Sequence, residues 1–283
     1  MRAEKYLLQP EHTPPCYDAV FIDEAQDLEP SVLRILLMVC KTPNSFFITA
    51  DANQSIYNKG FTWVSIHEEL QFRGGRTIAL KTNYRSTRQI GEAAEAYLRT
   101  GTGEIEKDEW SHAHDGSLPA MRKTANVVEE AQILKAFLDE ATRSLHISLQ
   151  NCAILCPTKH GGMLLVQLLK ELGIEATFQA GRDSDVSAPG VKVLTLHASK
   201  GLEFPIVALA GFHQSQYIQV REHLSVGERE EKLALERRVL FVGMTRAMKT
   251  LLVLVPAETH STLFTGFDPP YWNVGCEKKD KDS

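Results

Sequence analysis

Short apolar runs that alternate with amphipathic segments constrain the fold of this chain most strongly. Val20, Phe21 and Ile22 suit a buried strand, and a helix-like segment with apolar residues at the spacing of one buried face follows from Glu29. Further strand-like runs lie at residues 45–50, 77–80, 152–156, 176–178, 191–196, 206–210 and 251–255. Further helix-like segments lie at residues 86–99, 126–141, 161–172 and 228–242. Strands that alternate with helices predict an α/β fold with mainly parallel sheets.

The first apolar run ends in two adjacent carboxylates, Asp23 and Glu24. In open α/β sheets, ligands bind at the carboxyl ends of the strands. There Asp23 could hold a Mg²⁺ ion, and Glu24 could position or deprotonate an attacking water. A solvated acidic turn before a helix explains the same two residues, so the pair alone does not identify a function.

Composition narrows the class of protein without identifying it. Hydrophobic residues at 43% and charged residues at 24% are typical of folded globular domains, and no apolar run approaches the length of a membrane span. Residues 1–15 lack the apolar centre of a signal peptide, and five cysteines without a Cys-x-x-Cys pair argue against a disulfide framework or a zinc site. A reduced cytoplasm is the simplest compartment. The net charge of −5 neither indicates nor excludes nucleic-acid binding, which depends on the charge of one local groove.

Two polar stretches follow the acidic pair. Gln54 lies just past a strand-like run, where its amide could sense a phosphate or hold a water, although a simple turn has the same composition. Tyr84 and Arg85 lie side by side at the start of a helix-like segment. A tyrosine ring can stack on a base and a guanidinium can bind a phosphate, whereas a packed tyrosine beside a surface arginine is the alternative.

Two more stretches lie in the second half of the chain. Residues 195–204 combine a hydroxyl, an imidazole, an ammonium group and a glycine after a strand, which is the chemistry of a cradle for backbone phosphates. A structural histidine is the alternative for His197. Arg246 follows an apolar turn and is a candidate arginine finger, a side chain that stabilises charge on a transferred phosphoryl group. An arginine on a helix surface is the alternative there.

Five motifs taken in order identify a resemblance. They read Asp-Glu-Ala-Gln-Asp, Asn-Gln-Ser-Ile-Tyr, Asn-Tyr-Arg-Ser-Thr, Thr-Leu-His-Ala-Ser-Lys-Gly-Leu-Glu-Phe and Val-Gly-Met-Thr-Arg-Ala. In sequence and order they resemble the motifs of UvrD/Rep-type superfamily 1 DNA helicases, from about Asp18 to Val255. The resemblance implies RecA-like parallel sheets flanked by helices. The C-terminal part of a first RecA-like domain would cover residues 1–75, a complete second domain residues 76–258, and a tail residues 259–283.

The resemblance also implies the catalytic roles. Asp23 would hold Mg²⁺ and Glu24 would activate the hydrolytic water. Gln54 would contact the γ-phosphate of ATP and couple it to DNA. Arg85 and Arg246 would neutralise the γ-phosphate from the second lobe.

The binding roles follow from the same resemblance. Tyr84 would stack on the adenine, Glu203 would bind the ribose, and Gly201 would lie against the nucleotide. Thr195 and His197 would contact the DNA backbone.

Aromatic contacts to DNA bases are expected near the second motif. The resemblance makes Tyr57 and Trp63 candidates for binding nucleic acid. Where the family often has an aromatic residue two positions after the tyrosine, this chain has Lys59. Phe61 or Trp63 could take over base stacking, and packing of either residue into the core is the alternative.

Two further departures from the family bear on activity. The glycine-rich P-loop, Gly-x-x-x-x-Gly-Lys-[Ser/Thr], which the family carries upstream of the acidic pair, does not occur in the sequence. Only residues 179–190 occupy the place of the family's large insertion before the Thr-Leu-His motif. We therefore expect the end of a first RecA-like domain and a whole second one, without the accessory subdomain.

The leading hypothesis is the C-terminal motor portion of an ATP-dependent 3′ to 5′ DNA helicase or translocase. It would use ATP, Mg²⁺ and single-stranded DNA, and it would be weakly active or inactive without a P-loop-bearing helicase half. A split gene, a truncated gene or a partial chain would each explain the missing loop. A non-catalytic nucleic-acid-binding or regulatory module with the same fold is the alternative. An unrelated Mg²⁺-dependent hydrolase that uses Asp23 and Glu24 is disfavoured by the other four motifs.

Overall fold

The structure is a computed structural model that describes residues 6, 16–50, 78–102, 111–180, 188–213, 225–259 and 261–275. It divides into two compact units, Met1–Leu80 and Lys81–Ser283, which are described separately. The strands are β1 Val20–Ile22, β2 Phe46–Ile48, β3 Thr82–Asn83, β4 Ser111–His112, β5 Ala120–Thr124, β6 Cys152–Cys156, β7 Ala176–Phe178, β8 Val191–Thr195, β9 Phe204–Leu209 and β10 Ala247–Pro256. The α-helices are α1 Pro30–Met38, α2 Arg88–Thr102, α3 Val127–Leu145, α4 Lys159–Glu171 and α5 Val226–Met244.

The first unit contains β1 and β2, which pair in parallel, together with α1. Ile22 is buried in a small cluster with Ala25 and Leu33. The expectation that Phe21 is buried is wrong, because its side chain is 77% exposed and contacts the exposed ring of Phe47. Neighbouring side chains of a strand point to opposite faces of the sheet. Among the described residues of this unit, only the face that carries Ile22 is covered.

The strand expected at residues 77–80 is not formed at its described positions. Residues 78–80 lie in no strand, and both Ile78 and Leu80 are exposed. Residue 77 lies outside the described residues. The apolar alternation of this segment is the pattern of a strand, but among the described residues it has no neighbouring strand with which to pair.

The second unit is built on a six-stranded sheet in the order β5-β10-β9-β6-β8-β7, with every neighbouring pair parallel. Its central strands are the apolar runs expected from the sequence. The edge strand β5 was not expected, because Arg122 and Lys123 interrupt its apolar pattern. An edge strand needs only one apolar face, and here Met121 supplies it. The α/β class with a mainly parallel sheet is confirmed.

Helices cover both faces of this sheet. Helices α3 and α4 place Leu134, Leu138, Leu165 and Leu169 in one core with Ile154 of β6. Helices α2 and α5 pack on each other, and the last turn of α5 contacts Leu155 and Leu209 on the opposite face. Because all strands run in one direction, the sheet has an amino edge, where strands begin, and a carboxyl edge, where they end.

Residues 261–275 pack against the second unit. Tyr97 of α2 donates a hydrogen bond from its hydroxyl to the carbonyl of Leu263 at 2.9 Å, and its ring contacts Phe267. Arg237 of α5 is buried and donates to the carbonyls of Tyr97 and Thr265 at 3.0 and 3.2 Å. Trp272 is buried as well. The packed fold therefore extends beyond residue 258, where the second domain was expected to end.

Two expectations from composition can be compared with the described residues. No helix among them has the length and apolar character needed to cross a membrane. The four described cysteines, Cys16, Cys40, Cys152 and Cys156, are free thiols.

A buried carboxyl group in the second unit predicts a pH dependence of stability. Glu130 of α3 is 1% exposed, and its Oε1 accepts a hydrogen bond from the amide of Gly211 at 2.9 Å, while its Oε2 has no hydrogen-bond partner among the described residues. Burial raises the pKa of Glu130 from its ordinary 4.5 to about 7. The folded chain then binds the proton more tightly than the unfolded chain does. The free energy of unfolding should therefore fall as the pH rises from about 4.5 to 7, by up to about 3 kcal/mol from this group.

Urea unfolding at several pH values measures this effect. Glu130→Gln keeps an oxygen that can accept from Gly211, and it should flatten the dependence between pH 5 and 7. Glu140→Gln, an exposed position on the same helix, is the matched control and should leave the dependence unchanged. An equal slope in the Glu130→Gln chain would contradict the assignment.

Candidate nucleotide and DNA sites

The turn that carries Tyr84 and Arg85 is fixed by a side chain of its own motif. The Oδ1 of Asn83 accepts hydrogen bonds from the amides of Arg85 at 2.8 Å and Ser86 at 3.2 Å, and its Nδ2 donates to Ser86 Oγ at 3.0 Å. This is the arrangement by which asparagine stabilises tight turns. Ser86 and Thr87 are buried, whereas Tyr84 is 71% exposed and Arg85 is also exposed. The turn therefore presents its aromatic ring and guanidinium to solvent.

Backbone hydrogen bonds bring three motifs together at the amino edge of the six-stranded sheet. The amide of Thr87 donates to the carbonyl of Met248 at 3.1 Å, and the amide of Phe204 donates to the carbonyl of Arg246 at 3.0 Å. Strands β9 and β10 begin side by side at Phe204 and Ala247. We call Tyr84, Arg85, Gly201, Glu203 and Arg246 the amino-edge cluster.

Within this cluster, Arg85 and Glu203 form an ion pair. The Nε of Arg85 lies 2.5 Å from Oε1 of Glu203, and the two side chains are 42% and 35% exposed. Gly201 lies two residues before the glutamate, with a φ of +80° and open space where a Cβ would be. A positive φ favours glycine, and the missing side chain leaves room for a ligand beside the backbone.

Arg246 belongs to the cluster by its backbone, but its side chain is 2% exposed. Its Nε donates to the carbonyl of Val242 at 3.0 Å, and its Nη2 donates to Thr245 Oγ1 at 3.1 Å. The guanidinium therefore lies against the last turn of α5. An arginine on an exposed helix surface, the alternative left open by the sequence, does not describe this side chain.

Thr195 and His197 lie at the other end of the second unit's sheet. Thr195 pairs with Cys156 where β8 and β6 end, and its Oγ1 accepts from the amide of Ala198 at 3.2 Å. His197 is exposed as a residue, yet partial burial of its ring lowers its pKa, so the ring is neutral at pH 7. Residues 196–203 then run back to the amino edge. One motif thus supplies residues to both edges of the sheet.

The last turn of α5 packs against residue Leu196 of this motif. A Cβ added to Gly243 would meet the Cδ2 of Leu196 at 2.5 Å, so a larger residue there would require the Leu196 side chain to shift. This contact joins the helix that ends before Arg246 to the turn that follows Thr195.

In the first unit, Asp23 and Glu24 follow β1 at its carboxyl end, as expected. Both residues are exposed. The Oδ1 of Asp23 accepts from the amide of Glu24 at 3.0 Å and from the hydroxyl of Thr49, and the amide of Ala25 donates to the carbonyl of Thr49 at 2.9 Å. Glu24 adopts the left-handed conformation with φ 53° and ψ 42°, and Gln26 donates to its carboxylate.

Some site residues were missed and others lie outside the described structure. Sequence reasoning did not single out Thr49 or Asn83, although each belongs to a stretch that was noticed. The only available signal was a hydroxyl at a strand end and an asparagine at a turn. Gln54, Tyr57 and Trp63 lie outside the described residues.

Two family models match the chain. The model of the UvrD-like helicase C-terminal domain matches residues 78–183 and 176–257, and that of the UvrD/REP helicase N-terminal domain matches residues 9–68. The fold and the order of the motifs place the chain in the helicase class. It belongs to the UvrD-like helicase family, which confirms the resemblance read from the five motifs.

Curated relatives agree with this family. PcrA, an ATP-dependent DNA helicase of Staphylococcus aureus, is 34% identical over 110 residues, which are 39% of this chain and 14% of that protein. UvrD1 of Mycobacterium tuberculosis is 31% identical over 134 residues, 47% of this chain and 17% of that protein. A putative ATP-dependent DNA helicase of Acanthamoeba polyphaga mimivirus is 25% identical over 280 residues, 92% of this chain and 38% of that protein. The chain thus spans less than two fifths of the length of these relatives.

One similar solved structure is the C-terminal domain of a possible DNA helicase from Lactobacillus plantarum. It has a TM-score of 0.49 and 23% identity, and the match covers 68% of this chain and 98% of that chain.

Proposed function

We propose that this chain is the C-terminal motor portion of an ATP-dependent DNA helicase or translocase that moves 3′ to 5′ on single-stranded DNA. The observation that carries the proposal is the convergence of Tyr84, Arg85, Glu203 and the Arg246 backbone at one edge of the sheet. An aromatic ring, a guanidinium and a carboxylate are groups that recognise the base, phosphates and sugar of a nucleotide. The names of PcrA and UvrD1, both ATP-dependent DNA helicases, support ATP and DNA as ligands.

The amino-edge cluster would bind ATP from the second unit. Tyr84 would stack on the adenine, and Arg85 would bind the γ-phosphate. Gly201 and Glu203 would lie beside the sugar. Arg246 would exchange its present hydrogen bonds to Val242 and Thr245 for the γ-phosphate as negative charge develops there. This exchange would tie the position of α5 to the state of the nucleotide.

Asp23 and Glu24 would supply the hydrolytic groups. The exposed carboxylate of Asp23 and the adjacent hydroxyl of Thr49 are oxygen groups of the kind that Mg²⁺ prefers. The described residues contain no cluster of three or more His, Cys, Asp or Glu side chains for a metal. Asp23 and Thr49 therefore fit a Mg²⁺ ion whose other ligands are ATP phosphates and water. Such an ion would neutralise phosphate charge during transfer. Glu24 would orient the attacking water and accept its proton.

DNA would be bound through two sets of groups. Thr195 and His197 would contact the sugar-phosphate backbone at the carboxyl edge, where a neutral imidazole can donate one hydrogen bond. Tyr57 and Trp63 would stack on bases of the single strand. Gln54 would respond to the γ-phosphate and couple the nucleotide to the DNA.

Hydrolysis would also require a phosphate-binding loop. The sequence contains no Gly-x-x-x-x-Gly-Lys-[Ser/Thr] pattern, so the backbone amides and lysine that cradle β- and γ-phosphates must come from elsewhere. We propose that a P-loop-bearing helicase portion, in the same polypeptide or a separate one, completes the motor. We call this chain together with that portion the assembled motor.

The test measures ATP hydrolysis with and without single-stranded DNA. The purified chain alone should show little hydrolysis and no stimulation by DNA. Adding or joining the P-loop-bearing portion encoded by the same genome should produce DNA-stimulated hydrolysis. DNA-stimulated hydrolysis by the chain alone, abolished by Glu24→Gln, would mean that the chain contains a complete site. An assembled pair that binds DNA but never hydrolyses ATP would favour the non-catalytic binding module.

A further inference from the structure

Arg237 of α5 is a buried cation that connects α5 to α2 and to residues 261–275. Its Nη1 donates to the carbonyl of Tyr97 in α2 at 3.0 Å and to that of Thr265 at 3.2 Å. Its Nη2 donates to the hydroxyl of Thr265 at 2.8 Å and to the carbonyl of Thr262. The guanidinium carbon lies 4.8 Å from the centre of the Tyr97 ring. One side chain of α5 therefore contacts both the backbone and the ring of a residue in α2.

A contribution to stability does not by itself explain an arginine at this place. Arg237 is 1% exposed, and the acceptors of these hydrogen bonds are uncharged oxygens. Taking a cation out of water costs several kcal/mol, and buried charged groups can often be replaced by well-packed apolar residues without loss of stability. Directional hydrogen bonds to particular carbonyls do something that an apolar residue cannot, because they fix the position of one helix against another.

Residues 261–275 hold the other side of this contact. The hydroxyl of Tyr97 donates to the carbonyl of Leu263 at 2.9 Å. The ring of Phe267 contacts the rings of Tyr97 and Trp272, at centroid distances of 5.0 and 4.8 Å. The match to the family model of the C-terminal domain ends at residue 257, so these contacts lie beyond the part of the chain that the family model describes.

The two helices that Arg237 connects lead to the two candidate phosphate-binding arginines. Arg85 lies in the turn before α2, and Arg246 follows the end of α5, both at the amino edge of the sheet. The contact between Arg237 and Tyr97 lies about 10 to 14 Å along either helix from that edge, at 1.5 Å per residue. Backbone hydrogen bonds attach the amino-edge ends to the sheet. One point of attachment lets a packed helix pivot slightly, and a second point at this distance fixes its direction.

We propose that Arg237 is a positioning residue, which links α5 to α2 and thereby sets the separation of Arg85 and Arg246 at the γ-phosphate. This inference rests on the proposed function, which assigns that phosphate to both arginines. A displacement of about 1 Å at a reacting group can lower a rate on the order of 10²-fold. Arg237 shares its task with core packing, so its loss should lower kcat about tenfold and change KM for ATP less than about threefold.

Steady-state ATP hydrolysis by the assembled motor at saturating DNA, with thermal unfolding of each chain, tests the proposal. Arg237→Met removes the hydrogen bonds but fills most of the space, and it should lower kcat about tenfold. Arg237→Lys keeps a cation with fewer donors, so it should lower kcat by a smaller factor. Arg229→Met is the matched control, because Arg229 is an exposed arginine of the same helix, and it should leave kcat unchanged.

A second background separates positioning from a general loss of stability. In an Arg246→Ala motor there is no pair of arginines left to position, so Arg237→Met should lower the single-turnover rate less than about twofold. The loss of thermal stability should be the same in both backgrounds, since distant sites usually contribute additively to stability. A residue that only stabilises the fold would lower the rate by the same factor in both backgrounds.

The outcomes distinguish this inference from the proposed function. If Arg246→Ala slows hydrolysis while a folded Arg237→Met motor keeps its kcat, or loses only ATP affinity, the positioning role is wrong and the proposed function stands. Equal rate factors in the two backgrounds would also overturn the positioning role. If the Arg237→Met chain does not fold, Arg237→Lys provides the same two comparisons. If the assembled motor does not hydrolyse ATP, or if Arg246→Ala leaves the rate unchanged, the proposed function fails and the inference fails with it.

Discussion

Replacing Arg246 by alanine is expected to slow ATP hydrolysis by the assembled motor on the order of 10³-fold or more. Charge develops on the transferred phosphoryl group, and a guanidinium that reaches it stabilises the transition state more than the ground state. The observed hydrogen bonds of Arg246 to Val242 and Thr245 hold its side chain against the end of α5, and its backbone belongs to the same amino-edge cluster as Arg85. Steady-state hydrolysis at saturating DNA measures the effect, and nucleotide affinity should change far less than the rate.

Because Arg246 is buried, its loss will also affect stability, and two variants separate the effects. Arg246→Lys keeps the positive charge but loses the planar fork, so it should remain folded and still hydrolyse ATP slowly. Arg229→Ala changes an exposed arginine near the start of the same helix, and it should leave hydrolysis unaffected. Thermal unfolding of each variant gives the stability change. A normal hydrolysis rate in a folded Arg246→Ala motor would favour the non-catalytic binding module.

The fold of the second unit could be predicted because most of its strands are short apolar runs that are recognisable in the sequence. Cys152–Cys156 and Ala176–Phe178 form strands with the expected bounds, since each is a short apolar run beside a polar turn. The short edge strands were harder to predict from the sequence, because they are defined by their pairing with a neighbouring strand and not by their composition. Among the described residues, the two-residue strands Thr82–Asn83 and Ser111–His112 pair with each other and with no further strand, and they carry no apolar signal.

The first unit illustrates a different limit. An apolar run predicts where burial is favourable, but burial also requires a covering layer. Phe21 and Phe47 have the composition of core residues, and among the described residues no layer covers them. Ile78 and Leu80 are exposed in the same unit. The apolar pattern of a strand was therefore recognisable from the sequence. Whether its side chains are buried depends on which other elements pack on them, and the pattern does not specify this.

The candidate site could be predicted by residue type but not by geometry. Motif order placed Arg85, Glu203 and Arg246 in one functional group, and backbone hydrogen bonds do bring their segments together. Sequence reasoning gave Arg85 and Glu203 separate roles and left the packing of Arg246 undecided. The ion pair and the buried guanidinium depend on side-chain torsions and on neighbouring carbonyls. Neither is encoded in the spacing of the motifs.

Glu24→Gln is expected to lower DNA-stimulated hydrolysis by the assembled motor about 10²- to 10⁴-fold, the contribution usual for a general base. Glutamine fills the same space and keeps an oxygen that can accept from Gln26, but it cannot take a proton from water at neutral pH. ATP affinity should stay within about twofold, since Glu24 is assigned no contact with bound nucleotide. Glu29→Gln, an exposed position five residues later, is the control and should hydrolyse normally.

The backbone of Glu24 allows chemistry to be separated from stability. Its left-handed conformation costs a non-glycine residue roughly 1 to 2 kcal/mol, so Glu24→Gly removes the carboxylate and relieves the strain together. We expect Glu24→Gly to lose hydrolysis as Glu24→Gln does, while its thermal unfolding temperature stays level or rises. Normal hydrolysis in both variants would make Asp23 and Glu24 an ordinary acidic turn. A lost activity combined with greater stability would mean that this strained position is kept for the carboxylate, because glycine would serve the fold better.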